Sequence, residues 1–78
     1  MAPIWVITTS GAAYLIKGVF KLDSNVDDKP AIMGILTDRL AKEIYTSADE
    51  VMRDRAFNKI LDSIRDPRHP TIDLNNLD

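Results

Sequence analysis

The sequence predicts a small α+β domain of ββαα type, in which an N-terminal β-hairpin is packed by two amphipathic helices. A β-branched and aromatic run occupies residues 4–9 and ends at the turn signal Ser10-Gly11. Apolar residues then recur at helical spacing over residues 30–45 and again over 48–65. The 78 residues suit a single domain. We place it at residues 1–70, followed by 71–78 as a free tail or a short third strand.

The second strand of the hairpin is expected at residues 13–22, where apolar residues partly alternate. Strict alternation puts Tyr14, Ile16, Gly18, Phe20 and Leu22 on one face and Leu15, Lys17, Val19 and Lys21 on the other. A helix over 12–20 competes with this strand because several apolar residues there also follow i, i+3, i+4 spacing. Gly18 disfavours that helix by about 1 kcal/mol, so we favour the hairpin.

Two helices are expected after the polar loop at 23–29. The first begins at Pro30, which suits an initial helical turn. Its apolar face comprises Ile32, Met33, Leu36, Leu40, Ile44 and Tyr45. The second begins with the capping box Ser47-x-x-Glu50 and ends before Pro67. Its apolar stripe comprises Val51, Met52, Ala56, Phe57, Ile60, Leu61 and Ile64.

Composition excludes several classes of protein. There is no cysteine, which excludes a disulfide scaffold and a thiolate zinc site and favours the cytoplasm. Ten basic and twelve acidic residues are mixed along the chain and give a net charge of −2. The N-terminus lacks the basic region of a secretory signal. The apolar run at 4–20 is interrupted by polar residues and contains Lys17, so we expect no membrane insertion.

No motif assembles a catalytic, metal or cofactor site. Asp23-x-Asn25-x-Asp27 begins like a calcium loop, but its sixth and twelfth positions hold Asp28 and Gly34 instead of Gly and Glu. His69 is the only histidine and has no evident nucleophile partner. The run after Ile7 lacks the glycine pattern of a phosphate loop. We therefore predict no enzyme activity, no cofactor and no small-molecule substrate.

A second hypothesis concerns nucleic acid. The second predicted helix and the residues after it carry several cations that could contact phosphates. Acidic residues interleave with them, which favours a solvated face instead. The candidate nucleic-acid-binding residues are Arg53, Arg55, Lys59, Arg65 and Arg68.

Size indicates a role in protein interaction. A two-stranded hairpin is marginally stable and needs both a covered face and paired edges. We therefore expect a small regulatory protein, an adaptor or an inhibitor, that works as a homodimer or bound to a partner protein. The predicted contact residues lie in the hairpin and the tail: Trp5, Tyr14, Leu15, Val19, Ile72, Leu74 and Leu77.

Overall fold

A computed structural model describes residues 3–65 and 71–75 of the chain. These residues form a mixed five-stranded sheet with strand order β4-β3-β2-β1-β5 and one helix. The elements are β1 (Ile4–Ile7), β2 (Ala13–Leu22), β3 (Ala31–Leu36), β4 (Ala41–Thr46), α1 (Glu50–Arg65) and β5 (Thr71–Asp73). Strands β1 to β4 are antiparallel neighbours, and β5 runs parallel to β1.

The ββαα prediction is wrong, because residues 30–45 form a second hairpin and not a helix. A four-residue loop joins β3 to β4, and Leu36 donates its backbone N–H to the Leu40 carbonyl at 2.8 Å. The Asp38 carboxylate accepts a hydrogen bond from the Leu40 N–H at 3.0 Å. Arg39 adopts a left-handed backbone with φ of 74°. The isoleucines of this segment favour a sheet, and its glycine disfavours a helix. Pairing with neighbouring strands then overrides the helical spacing.

Strands β1 and β2 pair antiparallel, as the predicted N-terminal hairpin requires, and the competing helix at 12–20 is wrong. Within β2, the pairing to β3 shifts between Ile16 and Gly18. This bulge adds one residue, Lys17, and reverses the side of the sheet on which later residues of β2 lie. Consequently Val19 lies on the same side as Ile16, whereas strict alternation predicts opposite sides.

Helix α1 corresponds to the second predicted helix but begins two residues later, and its N-cap differs from the predicted one. The Asp49 carboxylate accepts the Val51 N–H at 2.9 Å, and the Asp49 carbonyl accepts the Arg53 N–H at 3.0 Å. Asp49 is therefore the N-cap residue. Ser47 accepts the Asp49 N–H at 3.1 Å and stabilises the turn that precedes the helix.

The chain crosses from one edge of the sheet to the other through α1, which contacts β2, β3, β4 and β5. At the far edge, β5 lies next to β1, and Leu74 donates its N–H to the Ile7 carbonyl at 2.9 Å. Asn75 donates its side-chain amide to the Thr8 carbonyl at 3.2 Å. Residues 71–75 thus belong to the folded sheet.

The hydrophobic core lies between α1 and one side of the sheet. Its buried members come from β1 to β4, from α1 and from the residue that follows β5. They are Ile4, Val6, Ile16, Ile32, Ile44, Tyr45, Ala56, Ile60, Ile64 and Leu74.

Candidate interaction surface

The two sides of the sheet have different surroundings, and the strand register assigns each residue to one side. Directly paired residues of neighbouring strands share a side. We call the side that faces α1 the inner face. The side turned away from it, the outer face, carries large apolar residues of β1, β2 and β3: Trp5, Ile7, Leu15, Phe20, Met33 and Ile35.

The glycines of the sheet support this assignment. A Cβ atom built on Gly34 would lie 2.9 Å from an Ile16 methyl group and 3.1 Å from an Ile44 methyl group, both in the core. The neighbours of Gly34 in β3, Met33 and Ile35, therefore point outward. A Cβ atom on Gly18 would lie 3.5 Å from Ile35, which places Gly18 on the outer face.

The outer face is contiguous and only partly shielded from solvent. Trp5 opposes Leu15 across β1 and β2, and Phe20 opposes Met33 across β2 and β3. The exposed fractions are 47% for Trp5 and 40% for Phe20. Within residues 3–65 and 71–75, the only helix lies against the opposite side. Contiguous exposed apolar patches are typical of interaction surfaces.

Charged residues flank this apolar area on both edge strands. Glu43 of β4 opposes Met33, and Asp73 of β5 opposes Ile7. Lys17, the extra residue of the β2 bulge, is exposed. An apolar centre with a polar rim is the usual composition of a protein–protein interface.

The residues predicted for partner binding divide between the two faces. Trp5 and Leu15 lie opposite each other on the outer face. The others pack toward the core: Leu74 is buried, and Tyr14, Val19 and Ile72 are half-buried against it. Leu77 lies outside the described residues. We therefore retain only Trp5 and Leu15 from that set as surface residues.

Sequence reasoning missed Phe20, Met33 and Ile35 as surface residues. The bulge at Lys17 places Phe20 on the same side of the sheet as Leu15. No residue type in that part of the sequence indicates a bulge. Met33 and Ile35 were hidden by the helical interpretation of residues 30–45. The signal available in the sequence was Gly34 between two apolar residues, since a glycine inside an apolar run often marks close packing in a strand.

The predicted nucleic-acid set does not form one exposed group. Arg55, Lys59 and Arg65 are exposed on α1, whereas Arg68 lies outside the described residues. Arg53 is 2% exposed. Its guanidinium donates to the Leu22 carbonyl at 2.6 Å and to Asp54 at 2.8 Å. Arg53 therefore joins the first turns of α1 to the end of β2 and offers no charge to a phosphate.

Asp54 is the ionisable group most affected by these contacts. Partial desolvation raises its pKa, but the hydrogen bond from Arg53 and the charges of Lys21 and Arg53 outweigh that effect. The pKa of Asp54 is therefore lowered from its ordinary value. The Lys21 ammonium lies 3.6 Å from Asp54 and 5.4 Å from the centre of the Phe57 ring. This polar cluster fixes the helix against β2.

A small open cleft lies between the β1–β2 turn and β4. Its volume is about 160 Å³, below the roughly 300–1,000 Å³ typical of small-molecule sites. Thr8 and Ser10 share a hydrogen bond of 2.8 Å at its wall. It is lined by Thr8, Thr9, Ser10, Tyr14, Glu43, Ile44, Tyr45 and Thr46. The Glu43 carboxylate accepts a hydrogen bond from Asn25, and the Thr8 and Ser10 hydroxyl groups bond to each other. These contacts do not hold a base against a nucleophile, so we assign the cleft no chemistry.

The loop that begins like a calcium site has a structural role. The Asn25 side-chain oxygen accepts the N–H groups of Asp27 at 2.9 Å and Lys29 at 3.1 Å. Its amide donates to Glu43 at 2.8 Å. Across residues 3–65 and 71–75, no three His, Cys, Asp or Glu residues cluster as a metal site would require. His69 falls outside the described residues.

In the part of the chain that the structure describes, no helix has the length and apolar content needed to cross a membrane. The apolar run at 4–20 forms most of β1 and β2 instead.

Comparison with known proteins identifies no relative: no protein-family model, curated protein or solved structure matches this chain.

Proposed function

We propose that this chain is a small non-enzymatic interaction protein, an adaptor, inhibitor or regulatory protein, that binds protein through the outer face. The observation that supports the proposal is the apolar area across β1, β2 and β3, whose largest side chains, Trp5 and Phe20, are 47% and 40% exposed. Aromatic residues at the centre of a patch are the side chains that most often supply binding energy at interfaces.

The contrast with the opposite side of the sheet strengthens this argument. A small domain has limited apolar surface to bury, and its stability margin is thin. Here one helix covers the inner face, and large apolar residues nevertheless occupy the outer face. A partner that covers Trp5, Leu15 and Phe20 would remove this area from water.

The proposal includes a cytoplasmic location. The absence of cysteine from the sequence suits a reducing compartment. Fractionation of the native host, with antibody detection of the chain, would test this part separately.

Affinity capture with surface variants tests the proposal. Phe20→Lys places a charge on the outer face, whereas Leu40→Lys places the same charge at another exposed apolar residue, 60% exposed in the β3–β4 loop. We expect tagged wild type and Leu40→Lys to retain the same proteins, the untagged chain included, and Phe20→Lys to lose them. Equal capture by all three, or no capture by the wild type, would overturn the proposal.

A further inference from the structure

We infer that the occupant of the outer face is a second copy of this chain, with the two outer faces stacked on each other. This inference rests on the proposed function, because it names the partner of the same surface. It differs from a dimer formed by pairing strand edges of two copies. In the folded sheet, β1 is already paired with β2 and β5, and β2 with β1 and β3.

The remaining sheet edges are poorly suited to strand pairing between copies. The edge strand β5 has only three residues. The other edge strand, β4, contains a register irregularity opposite Ile32 and Met33 and carries Lys42 and Glu43. Short, charged and bulged edges are the features that prevent edge association. A second copy is therefore directed to the face of the sheet.

The dimensions of the molecule limit the area that a second copy can cover. The described residues extend 32 × 29 × 21 Å. Sides of these dimensions are of the order of the 800 Å² or so that each partner contributes to a standard interface, so a second copy would have to cover most of the outer face. The cleft of about 160 Å³ beside the β1–β2 turn offers no such area.

Two-fold stacking also suits the chemistry of the face. Trp5, Leu15, Phe20 and Met33 are uncharged, so copies related by a two-fold axis place apolar area against apolar area. Packed sheets lie about 10 Å apart, which lets such side chains interdigitate. Glu43 and Asp73 lie on the outermost strands, where they can stay hydrated. The flexible stem of Lys17 allows its ammonium group to reach water.

The test is the mass of the purified chain in solution, measured by sedimentation velocity from about 1 to 200 µM, a range that brackets micromolar association. We expect the wild type and Leu40→Lys to shift from monomer to dimer with concentration. Phe20→Lys and Trp5→Lys should stay monomeric at 200 µM. Their dissociation constants for the dimer should exceed that of the wild type at least tenfold. Circular dichroism of each variant establishes that it is folded. If one outer-face variant does not fold, the other decides the question.

Salt dependence gives a second readout. A dimer held by apolar area should not weaken steeply when sodium chloride is raised from about 0.05 to 0.5 M, unlike an association held by charge. A wild type that remains monomeric at 200 µM would overturn the inference. So would a dimer that salt dissolves, or one that persists in both outer-face variants.

The inference and the proposed function can fail separately. A monomeric wild type that captures another protein in a Phe20-dependent manner overturns self-association and leaves the proposed function standing. A chain that neither dimerises nor captures any protein overturns both.

Discussion

The inner and outer faces of this sheet are built from alternate residues of the same strands, yet they have different surroundings. Ile16 of β2 has no solvent exposure and belongs to the hydrophobic core. Its neighbour Leu15 is half-buried beside Trp5 and faces away from the helix. Both are large aliphatic residues, so residue type alone does not distinguish a core position from a surface position. The strand register and the position of the single helix distinguish them.

This difference shows how one helix divides the apolar content of a small sheet. The inner face, closed by Ala56, Ile60 and Ile64 of α1, provides the stability of the monomer. The outer face contributes less to folding, and we propose that it serves association. Substitutions on the two faces should therefore have separable effects.

The largest effect is expected from a pair of neighbouring substitutions in β2. Ile16→Ala should lower the free energy of unfolding by about 2–5 kcal/mol, because it leaves a cavity in the core. Leu15→Ala, the matched control, should lower it by clearly less, because Leu15 is only partly buried and its truncation leaves no enclosed cavity. Urea unfolding by circular dichroism at low micromolar concentration measures both. Equal losses would contradict the assignment of the two faces.

A second pair compares two glycines of the sheet. Gly34→Ala should destabilise by about 1–3 kcal/mol, since the new methyl group meets Ile16 and Ile44 and overpacks the core. Gly18→Ala meets Ile35 at an ordinary contact distance of 3.5 Å and should be neutral or slightly stabilising. Thermal unfolding compares them. Loss of stability in Gly18→Ala but not in Gly34→Ala would contradict the account, because it would exchange the faces assigned to the two glycines.

A third comparison concerns the arginines of α1. Arg53→Met removes the donor to the Leu22 carbonyl and to Asp54, and unsatisfied groups of this kind cost about 1–3 kcal/mol. Arg55→Met, at an exposed site on the same helix, should change stability by less than about 0.5 kcal/mol. Chemical denaturation distinguishes them. Similar losses of unfolding free energy in the two variants would show that Arg53 does not connect α1 to β2.

The smallest expected effect is a change in acid sensitivity. The pKa of Asp54 is lowered in the folded chain, so its ionised form stabilises the fold above the ordinary carboxyl pKa of about 3.9. That contribution is lost as the pH falls through the lowered pKa. Asp54→Asn should unfold more easily at neutral pH and lose less stability between about pH 5 and pH 2. Denaturation curves measured across this pH range give the free energy of unfolding of both proteins. An equal pH dependence in the wild type and in Asp54→Asn would contradict the account.

The sequence anticipated some elements and not others, for physical reasons. The β-branched run at residues 4–7 indicated β1, and the apolar spacing after Ser47 indicated α1. The hairpin of β3 and β4 was misread because its apolar residues also fit helical spacing, and strand pairing decides between the two. Arg39, at a positive φ, is not a residue type that signals such a turn.

The candidate surface was predicted only in part. Trp5 and Leu15 precede the bulge, and simple alternation correctly placed Leu15 on the side opposite to Ile16. Beyond Lys17 the alternation reverses, and Val19 and Phe20 exchange sides. A bulge depends on the pairing of two distant strands, and information of that kind is absent from a local pattern.

Quenching of Trp5 fluorescence by acrylamide tests the central claim, that the outer face is open in the monomer and is the surface used for association. Trp5 is the only tryptophan, so the signal has a single source. In Phe20→Lys, which we expect to be monomeric, Trp5 should be readily quenched at every protein concentration. In the wild type, quenching should fall as the concentration rises. A shielded Trp5 in folded, monomeric Phe20→Lys would contradict the claim, because it would place this residue inside the core.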